Sequence, residues 1–586
     1  MNHIAKYSSS IITFFQNKQK RTPFLFGILA ISVILLYISV FNNPFVWDDF
    51  YGVVKNKYVH DFRFLDLFSE NTYAGAGSIG ANWRPLILTM FSVIWHFWGG
   101  WTVPYHTASI FLHAINAILV FILFKKLFKR YWPAFLSALL FAIHPMQTQA
   151  VVYIAGLGDP LGAFFMLAGT IAYVRSQKGA PEERAYLGLA WICFACALMS
   201  KENAVMMPGL LFLADFFSQQ KNEPLKRNLK RAVKKIVPFA ALFVCYIITR
   251  LTFLDFLPKM YGSAFSATPF GEKVLVFFST ITDYIRLLFA PLHLHMEHSV
   301  YWVHSFWEPK TFIGTVIIFS FLAAIITQWK RRPEISFGLA WFLIAYSPNS
   351  NLFMPTTALF GEHWLYLSLP GLFLAIFCVG GEIFREKRYF PAIMFLLFVW
   401  IGWIASVTVN RNLEWETPIG IMEQTHREEP KKVRATIVLG SLYRDNGEYE
   451  KALKMYAEAI KLDPNDYMAY SERADLYKKI GNNTAMIADM ERSCKITSLY
   501  SPSFKSLLKI YKTTGEFDKA EKLLNLQITQ GKNPKIALGA TIELVSIAVA
   551  RKDHALVKKY LLMGDKYEKE INKDWSAKLG RWLITR

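Results

Sequence analysis

The sequence predicts an all-α protein in two parts: a polytopic membrane domain of about eleven transmembrane helices, then a tetratricopeptide-repeat α-solenoid. Three observations carry that expectation. Apolar residues are gathered into long runs, many near the length that spans a bilayer. Lys and Arg are concentrated in short segments between those runs. Over the last ~150 residues, Gly and Tyr landmarks recur every 34 positions.

The 586 residues are 53% hydrophobic and 19% charged, whereas soluble domains are about 45–50% apolar and about 25% charged. The net charge of +21 would suit a nucleic-acid binder. Its cations, however, lie between apolar runs, where they act as topology signals, so no nucleic-acid partner is expected. Cys193, Cys196, Cys245 and Cys378 lie inside apolar runs and Cys494 in the repeats, a distribution that indicates neither a disulfide framework nor a metal site.

Lys6, Lys18, Lys20 and Arg21 form a basic segment, 1–22, ahead of the run Pro23–Phe41. That run is longer than a signal-peptide core and lacks a small-residue cleavage site, so it reads as an uncleaved first span with a cytoplasmic N-terminus. Further spans are expected at 103–124, 132–154, 160–175, 185–200, 203–217, 236–254, 311–329, 335–352, 363–382 and 389–408. Two apolar stretches broken by polar residues, 85–101 and 272–292, are expected to lie along the membrane surface.

This assignment places Lys125–Arg130, Arg175–Arg184, Lys221–Lys235, Lys330–Arg332 and Arg385–Arg388 in the cytoplasm. Counting 85–101 as a span would move Lys125–Arg130 and later basic loops outside. Within the membrane domain, 23–410, loops 42–102 and 255–310 then face the non-cytoplasmic side. So does everything after the last span.

Residues 411–432 read as a linker to the repeats, 433–573. Gly447, Gly481 and Gly515 share the 34-residue period with Tyr443, Tyr477 and Tyr511. Leu439, Gly440, Ala452, Tyr456, Ala459 and Pro464 complete the first unit. The second is degenerate in its second helix, the third keeps Phe517 and Ala520, and a weaker fourth spans 536–570. Each Gly is expected in the turn between paired helices, and 574–586 reads as a capping helix. The concave face of such an array binds peptide; a structural or oligomerisation module is the plainer reading.

The candidate chemistry lies at the outer ends of the expected spans. N-P-F-V-W-D-D-F puts Asp48 and Asp49 just beyond the first span, where a carboxylate has the chemistry of a general base toward an acceptor hydroxyl. A solvated helix end is the alternative. N-W-R-P supplies Asn82 and Arg84, and F-A-I-H-P-M-Q-T-Q supplies His144, Gln147 and Gln149. G-L-G-D-P brings Asp159, S-K-E-N brings Lys201 and Glu202, and Arg250 closes the seventh span. S-P-N-S-N-L-F-M-P and G-E-H-W-L-Y-L add Asn349, Asn351, Glu362, His363 and Tyr366.

Singly, each is an ordinary helix-end residue; their convergence on one face is the signal. It suits transfer of a sugar from a lipid phosphate. Cations (Arg84, Lys201, Arg250) would hold the leaving phosphate while a carboxylate deprotonates the acceptor. No P-loop, Rossmann glycine motif, catalytic Cys arrangement or zinc signature is present in the sequence.

F-V-W-D-D-F, N-W-R-P-L, Y-H-T-A-S-I-F-L-H-A, F-A-I-H-P-M-Q-T-Q-A-V, L-M-S-K-E-N and P-N-S-N-L-F-M-P with E-H-W-L-Y-L, in this order, resemble the transmembrane and tetratricopeptide-repeat-containing protein O-mannosyltransferases. More broadly they resemble the GT-C glycosyltransferases. The resemblance covers nearly the whole chain. It implies a GT-C membrane core and a polyprenyl- or dolichyl-phosphate sugar donor. It further implies a protein Ser/Thr acceptor, inversion at the sugar carbon, no cofactor and no metal.

By resemblance the essential carboxylate maps onto Asp48 and Asp49. Arg84, Lys201, Arg250 and His363 map to the donor phosphate, and His144, Asp159, Glu202, Asn351 and Glu362 to sugar or acceptor. Two departures stand out. The family's H-P-x-H-T-E reads His144-Pro145-Met146-Gln147-Thr148-Gln149, and His363 stands where the family has Arg. The second removes a permanent cation, because an ordinary His titrates at about 6.5.

Two other readings remain at this point: an oligosaccharyl- or O-antigen-ligase-type transferase, and a non-catalytic membrane-anchored repeat scaffold. Asp48-Asp49 directly after the first span argues for single-sugar transfer, and eleven spans are more than an anchor needs. A transporter would show a Gly/Pro-broken span repeated in both halves, a signal this sequence lacks. Short Lys- and Asn-rich loops point to a bacterial inner membrane with periplasmic repeats; the endoplasmic reticulum with luminal repeats is the alternative.

Overall fold

The computed structural model describes residues 18–77, 82–177, 182–218, 224–252, 268–298, 303–352, 360–383, 390–498, 501–531 and 534–584, and every regular element among them is helical. Lys6, Arg385–Arg388, residues 255–267 of the loop 255–310 and the F-M-P end of the Asn349 motif lie outside the described residues. The chain divides into two compact units, 1–424 and 425–586.

The first unit is a multi-pass membrane domain. Six helices are long and apolar enough to cross a bilayer: Arg21–Asn42, Val103–Phe128, Ile154–Ser176, Leu225–Leu251, Pro309–Gln328 and Phe390–Leu413. A seventh crossing is a bent pair, Tyr131–Ile143 with Pro145–Val152, turned by 56°. The other four expected spans are also helices: Glu183–Ser200, of 18 residues, and the shorter Met207–Ser218, Pro333–Tyr346 and Leu369–Ile383.

By length and composition alone, six or seven of the described helices qualify as crossings. At 1.5 Å per residue, the 12 residues Met207–Ser218 reach about 18 Å, well under the ~30 Å hydrocarbon core. Hydropathy does not show where these helices stop. Their ends give way to short 3₁₀ turns at Glu202–Met206, Ser347–Asn349 and Glu362–Leu365, and those turns carry the candidate site.

Pro85–Trp98 is a 14-residue apolar helix, and Phe270–Phe289 carries Glu272, Lys273, Asp283 and Arg286; neither meets the length and polarity of a span. Basic helix ends are held by buried acids. Asp215 lies 3.2 Å from Arg231 and 3.4 Å from Lys235, and Glu334 lies 2.8 Å from Arg130. Without a hydrophobic force between spans, close backbone approach drives packing. At Gly338 a Cβ would stand 2.3 Å from the Gly371 carbonyl oxygen of the neighbouring helix. All five cysteines are free thiols.

The second unit is a tetratricopeptide array of paired helices: Val433–Asp445 with Tyr449–Leu462, Tyr467–Lys479 with Asn483–Ile496, Ser503–Thr514 with Phe517–Gly531, and Pro534–Ala550 with His554–Ile584. Gly447, Gly481 and Gly515 hold φ of +85°, +79° and +78° in the turns inside the first three pairs, where a side chain would be strained. The degenerate second helix of the second unit still folds, because Asn482 caps it and Met486, Met490 and Cys494 bury its inner face.

Two boundaries differ from expectation. The stretch 574–586 is no separate cap; through Ile584 it continues a 31-residue helix from His554. The expected linker is largely helical, since Phe390–Leu413 runs into it and Pro418–Glu428 lies within it.

Candidate active site

The site is assembled from turns between helices of the first unit. Beyond the first span the backbone reverses at Trp47, which holds a left-handed φ of +47°. The next two carboxylates then part. Asp49 is 1% exposed, and its two oxygens accept from the Val46 and Ala155 amides at 2.8 and 2.7 Å. It thereby ties the first loop to the turn Ile154–Leu157. Burial pushes its carboxyl well up, the two amides oppose that, and neighbouring Asp48 adds to it. Asp48 is half-buried, and its amide donates to the Tyr153 hydroxyl at 3.0 Å. Its charge acts on the phenol of Tyr73, as does that of Arg84.

Two ion pairs form the cationic part. Arg84, in the turn before Pro85–Trp98, places Nε and Nη2 at 3.0 and 2.9 Å from one oxygen of Glu202, Oε2. Burial pushes the Glu202 carboxyl up, but the Arg84 and Arg250 charges outweigh it and bring the carboxyl down to about 2. Lys201 Nζ lies 2.5 Å from Asp159 Oδ2 in the first turn of Gly158–Ser176. Burial lowers the Lys201 amine against the pull of Asp159, and Arg84 and Glu202 are both close enough to act on it. Arg250 donates to the Tyr246 hydroxyl at 3.2 Å and reaches the same cluster through its effect on Glu202.

The third wall is the turn Glu362–Leu365. His363 sits in range of Lys201 and Arg84; burial first, then those charges, hold its imidazole well below the ordinary value, so it is neutral at pH 7. Its amide donates to Gln149 Oε1 at 3.4 Å. Glu362 is wholly buried: Oε1 accepts from the His295 amide and His298 Nε2 at 2.8 and 2.9 Å, and Oε2 lies 3.5 Å from Arg411. Asn351 is buried at a left-handed φ of +58°, and Asn349 donates to the Trp364 carbonyl at 3.2 Å. The Tyr366 hydroxyl bonds His113 Nδ1 at 2.8 Å and Asn116 Nδ2 at 3.2 Å.

The structure thus gathers Asp48, Arg84, Asp159, Lys201, Glu202, Arg250 and His363 into one electrostatically coupled group, with Glu362 adjoining His363. His144 has a different place. Its Nε2 lies 3.0 Å from the Leu288 carbonyl and its Nδ1 accepts from the Met146 amide at 3.3 Å, so both nitrogens secure the bend in the broken span.

Among the buried polar groups that keep unmet hydrogen-bonding capacity are Glu202 Oε1, His363 Nδ1 and both ends of the wholly buried Gln147 amide. Each such atom costs about 1–3 kcal/mol unless a ligand or water meets it. A cavity of about 20 Å³ between Asp159, Lys201, Trp364 and Tyr366 has room for about one water.

Sequence reasoning missed Arg411, His295, His298 and Tyr153. The histidines and the tyrosine carry no pattern. Arg411 did carry one, as a lone cation in the last turn of an otherwise apolar span, which is costly unless it functions or is paired.

Fold and site define a multi-pass, all-α membrane protein with a tetratricopeptide-repeat unit and a loop-borne cluster of carboxylates and cations. Residues 440–481 match the TPR repeat family. The chain is similar to the protein O-mannosyl-transferases: it is 24% identical to one from Caenorhabditis elegans over 75% of this chain and 62% of that protein. It is 22% identical to TMTC3 of Mus musculus over 78% of this chain and 53% of that protein. It therefore spans about half to three-fifths of the length of these relatives. The crystal structure of ArnT from Cupriavidus metallidurans bound to undecaprenyl phosphate superposes with a TM-score of 0.33 at 13% identity, over 87% of this chain and 80% of that one, too loosely for sites to be compared.

Proposed function

We propose that the chain is an integral membrane glycosyltransferase of GT-C type. It moves a hexose, mannose in the first instance, from a polyprenyl- or dolichyl-phosphate donor to a Ser or Thr hydroxyl of a protein. The observation that supports this most is the grouping of a half-buried acid, Asp48, with Arg84, Lys201 and Arg250, all in non-spanning turns or at a helix end. In the reaction the acceptor oxygen bonds to the anomeric carbon as the bond to phosphate oxygen breaks, with inversion. Asp48 takes the hydroxyl proton, and the lipid phosphate leaves toward the cations.

Arg84 and Lys201 are each neutralised by a carboxylate, so donor binding exchanges carboxylate for phosphate as their partner. Neutral His363 then serves as a hydrogen-bonding group rather than the permanent cation of the relatives' motif. The relatives' names support mannose and protein as sugar and acceptor. The basic loops support placing site and repeats on the non-cytoplasmic side, in a bacterial inner membrane or, as the second reading, the endoplasmic reticulum. The repeats recruit the protein acceptor.

The test is the full chain in lipid vesicles with polyprenyl-phosphate mannose and a Ser/Thr peptide, read by mass spectrometry. Wild type is expected to add a sugar mass to a hydroxyl residue, and Asp48→Asn to lose about 10²–10⁴-fold in rate while inserting normally. Equal transfer by the two proteins would remove Asp48 as base, and no transfer from any lipid-phosphate sugar would sink the reading.

A further inference from the structure

Within the repeat unit, a groove of about 630 Å³ runs between the helices Ser503–Thr514, Phe517–Gly531 and Pro534–Ala550. Its volume falls within the range of ligand sites, about 300–1,000 Å³. The floor is apolar, from Phe504, Leu508 and Leu524. One wall is not. Lys505, Lys509 and Lys512 stand at i, i+4 and i+7 and so share one face of the helix Ser503–Thr514. That helix carries no acidic residue.

Against the three lysines the lining offers a single carboxylate, Glu543, which pairs with Lys512 at 2.8 Å. Among the described residues no carboxylate pairs with Lys505 or Lys509. Both are solvent-exposed. Three cations over seven residues of helix span about 10 Å, the length of about three residues of extended chain. The charged groups are ammonium points in a row rather than converging guanidinium forks, which suits successive carboxylates better than one phosphate.

We propose that this groove binds an acidic stretch of the acceptor protein, so that the enzyme selects acceptors that carry a run of Asp or Glu. The proposal rests on the acceptor being a protein. Its apolar floor takes the side chains between the acids, while Lys505 and Lys509 set the charge preference.

The experiment uses the full chain in nanodiscs of neutral phosphatidylcholine and the anisotropy of a fluorescent Ser/Thr peptide with a run of Asp and Glu. An otherwise identical peptide with Asn and Gln is the control. The acidic peptide is expected to bind at least ten-fold more tightly. Lys505→Glu with Lys509→Glu should abolish that preference. Gly539→Leu should weaken both peptides by filling the groove, because a Cβ there meets nothing within 4 Å and the helix accommodates it. No lipid-phosphate sugar is present, so the assay reads binding without transfer and its result stays separate from that of the transfer assay. Equal affinity for the two peptides, or an unaltered preference in the charge-reversed variant, overturns the proposal. So does displacement of the acidic peptide by anionic-lipid nanodiscs as effectively as by unlabelled peptide.

Discussion

Asp48 and Asp49 are adjacent, yet their substitution by Asn is expected to fail in different ways. Both oxygens of Asp49 are taken by amides, Val46 at 2.8 Å and Ala155 at 2.7 Å, in a site 1% exposed. Asn offers one acceptor oxygen and turns an NH₂ donor toward the other amide. One buried N–H is left unpaired, at about 1–3 kcal/mol, and two donors are brought face to face. Because burial already disfavours the charged form of Asp49, removing its charge gives back part of that loss.

The expected net cost of Asp49→Asn is therefore about 1–2 kcal/mol, seen as a lower unfolding midpoint for the purified chain in detergent. Transfer should persist below that midpoint. Asp48 is half-buried rather than enclosed like Asp49, so Asp48→Asn should shift the midpoint by less than about 0.5 kcal/mol. Its transfer rate should fall about 10²–10⁴-fold. Measuring midpoint and rate on both variants separates the roles. An Asp49 variant of wild-type stability without transfer, beside an Asp48 variant that still transfers, would refute the division.

Three further outcomes follow from the geometry. Glu202 has a folded value of about 2 against an ordinary ~4.3, so its contribution is full above about pH 4.3 and lost as pH falls toward 2. The shift is worth ~3 kcal/mol, so stability relative to Glu202→Gln should decline by about that much between pH 5 and 2 in denaturant titrations; a constant difference would contradict it. Arg411→Gln leaves wholly buried Glu362 without its guanidinium and should destabilise by about 3–5 kcal/mol, with partial recovery in the double variant with Glu362→Gln; no recovery would deny the pairing. Gly338→Ala drives a Cβ to 2.3 Å from the Gly371 oxygen and should cost about 1–3 kcal/mol, whereas Gly188→Ala, with nothing within 4 Å, should be neutral or slightly stabilising.

The parts of the fold that repeat were the parts legible in the sequence. A left-handed turn demands glycine each time it recurs, so Gly447, Gly481 and Gly515 announced the helix pairs before any contact was known. Apolar runs announced helices equally well, but not their ends. A run such as 203–217 is as apolar as a span, yet its first residues are spent on the turn Glu202–Met206. Motif residues at the ends of those runs marked the turns in which buried charges gather, because charge beside lipid needs a reason to be there. What the motifs withheld was pairing. Nothing in F-V-W-D-D-F tells which carboxylate is consumed by amides 106 positions away, and nothing in E-H-W-L-Y-L tells that Glu362 is held by Arg411. Those pairings are long-range, and a single sequence does not tell which residues meet.

That missing cation bears on the departure at His363. A neutral imidazole there looked like a charge lost from the donor site. The structure instead places Arg411 on the preceding residue, Glu362, and brings Lys201 and Arg84 within range of His363 itself. A permanent cation at position 363 would then add a third positive charge to a wall that Lys201 and Arg84 already serve, with Glu202 and Asp159 committed to those two. Neutral His363 avoids that repulsion and leaves Nδ1 without a partner, beside Glu202 Oε1 and the Gln147 amide in the same condition. Unmet donors and acceptors suit hydroxyl groups better than phosphate. Under the proposed function, Gln147, Gln149 and neutral His363 would give this wall hydrogen-bonding groups for sugar hydroxyls and leave the phosphate to Arg84, Lys201 and Arg250.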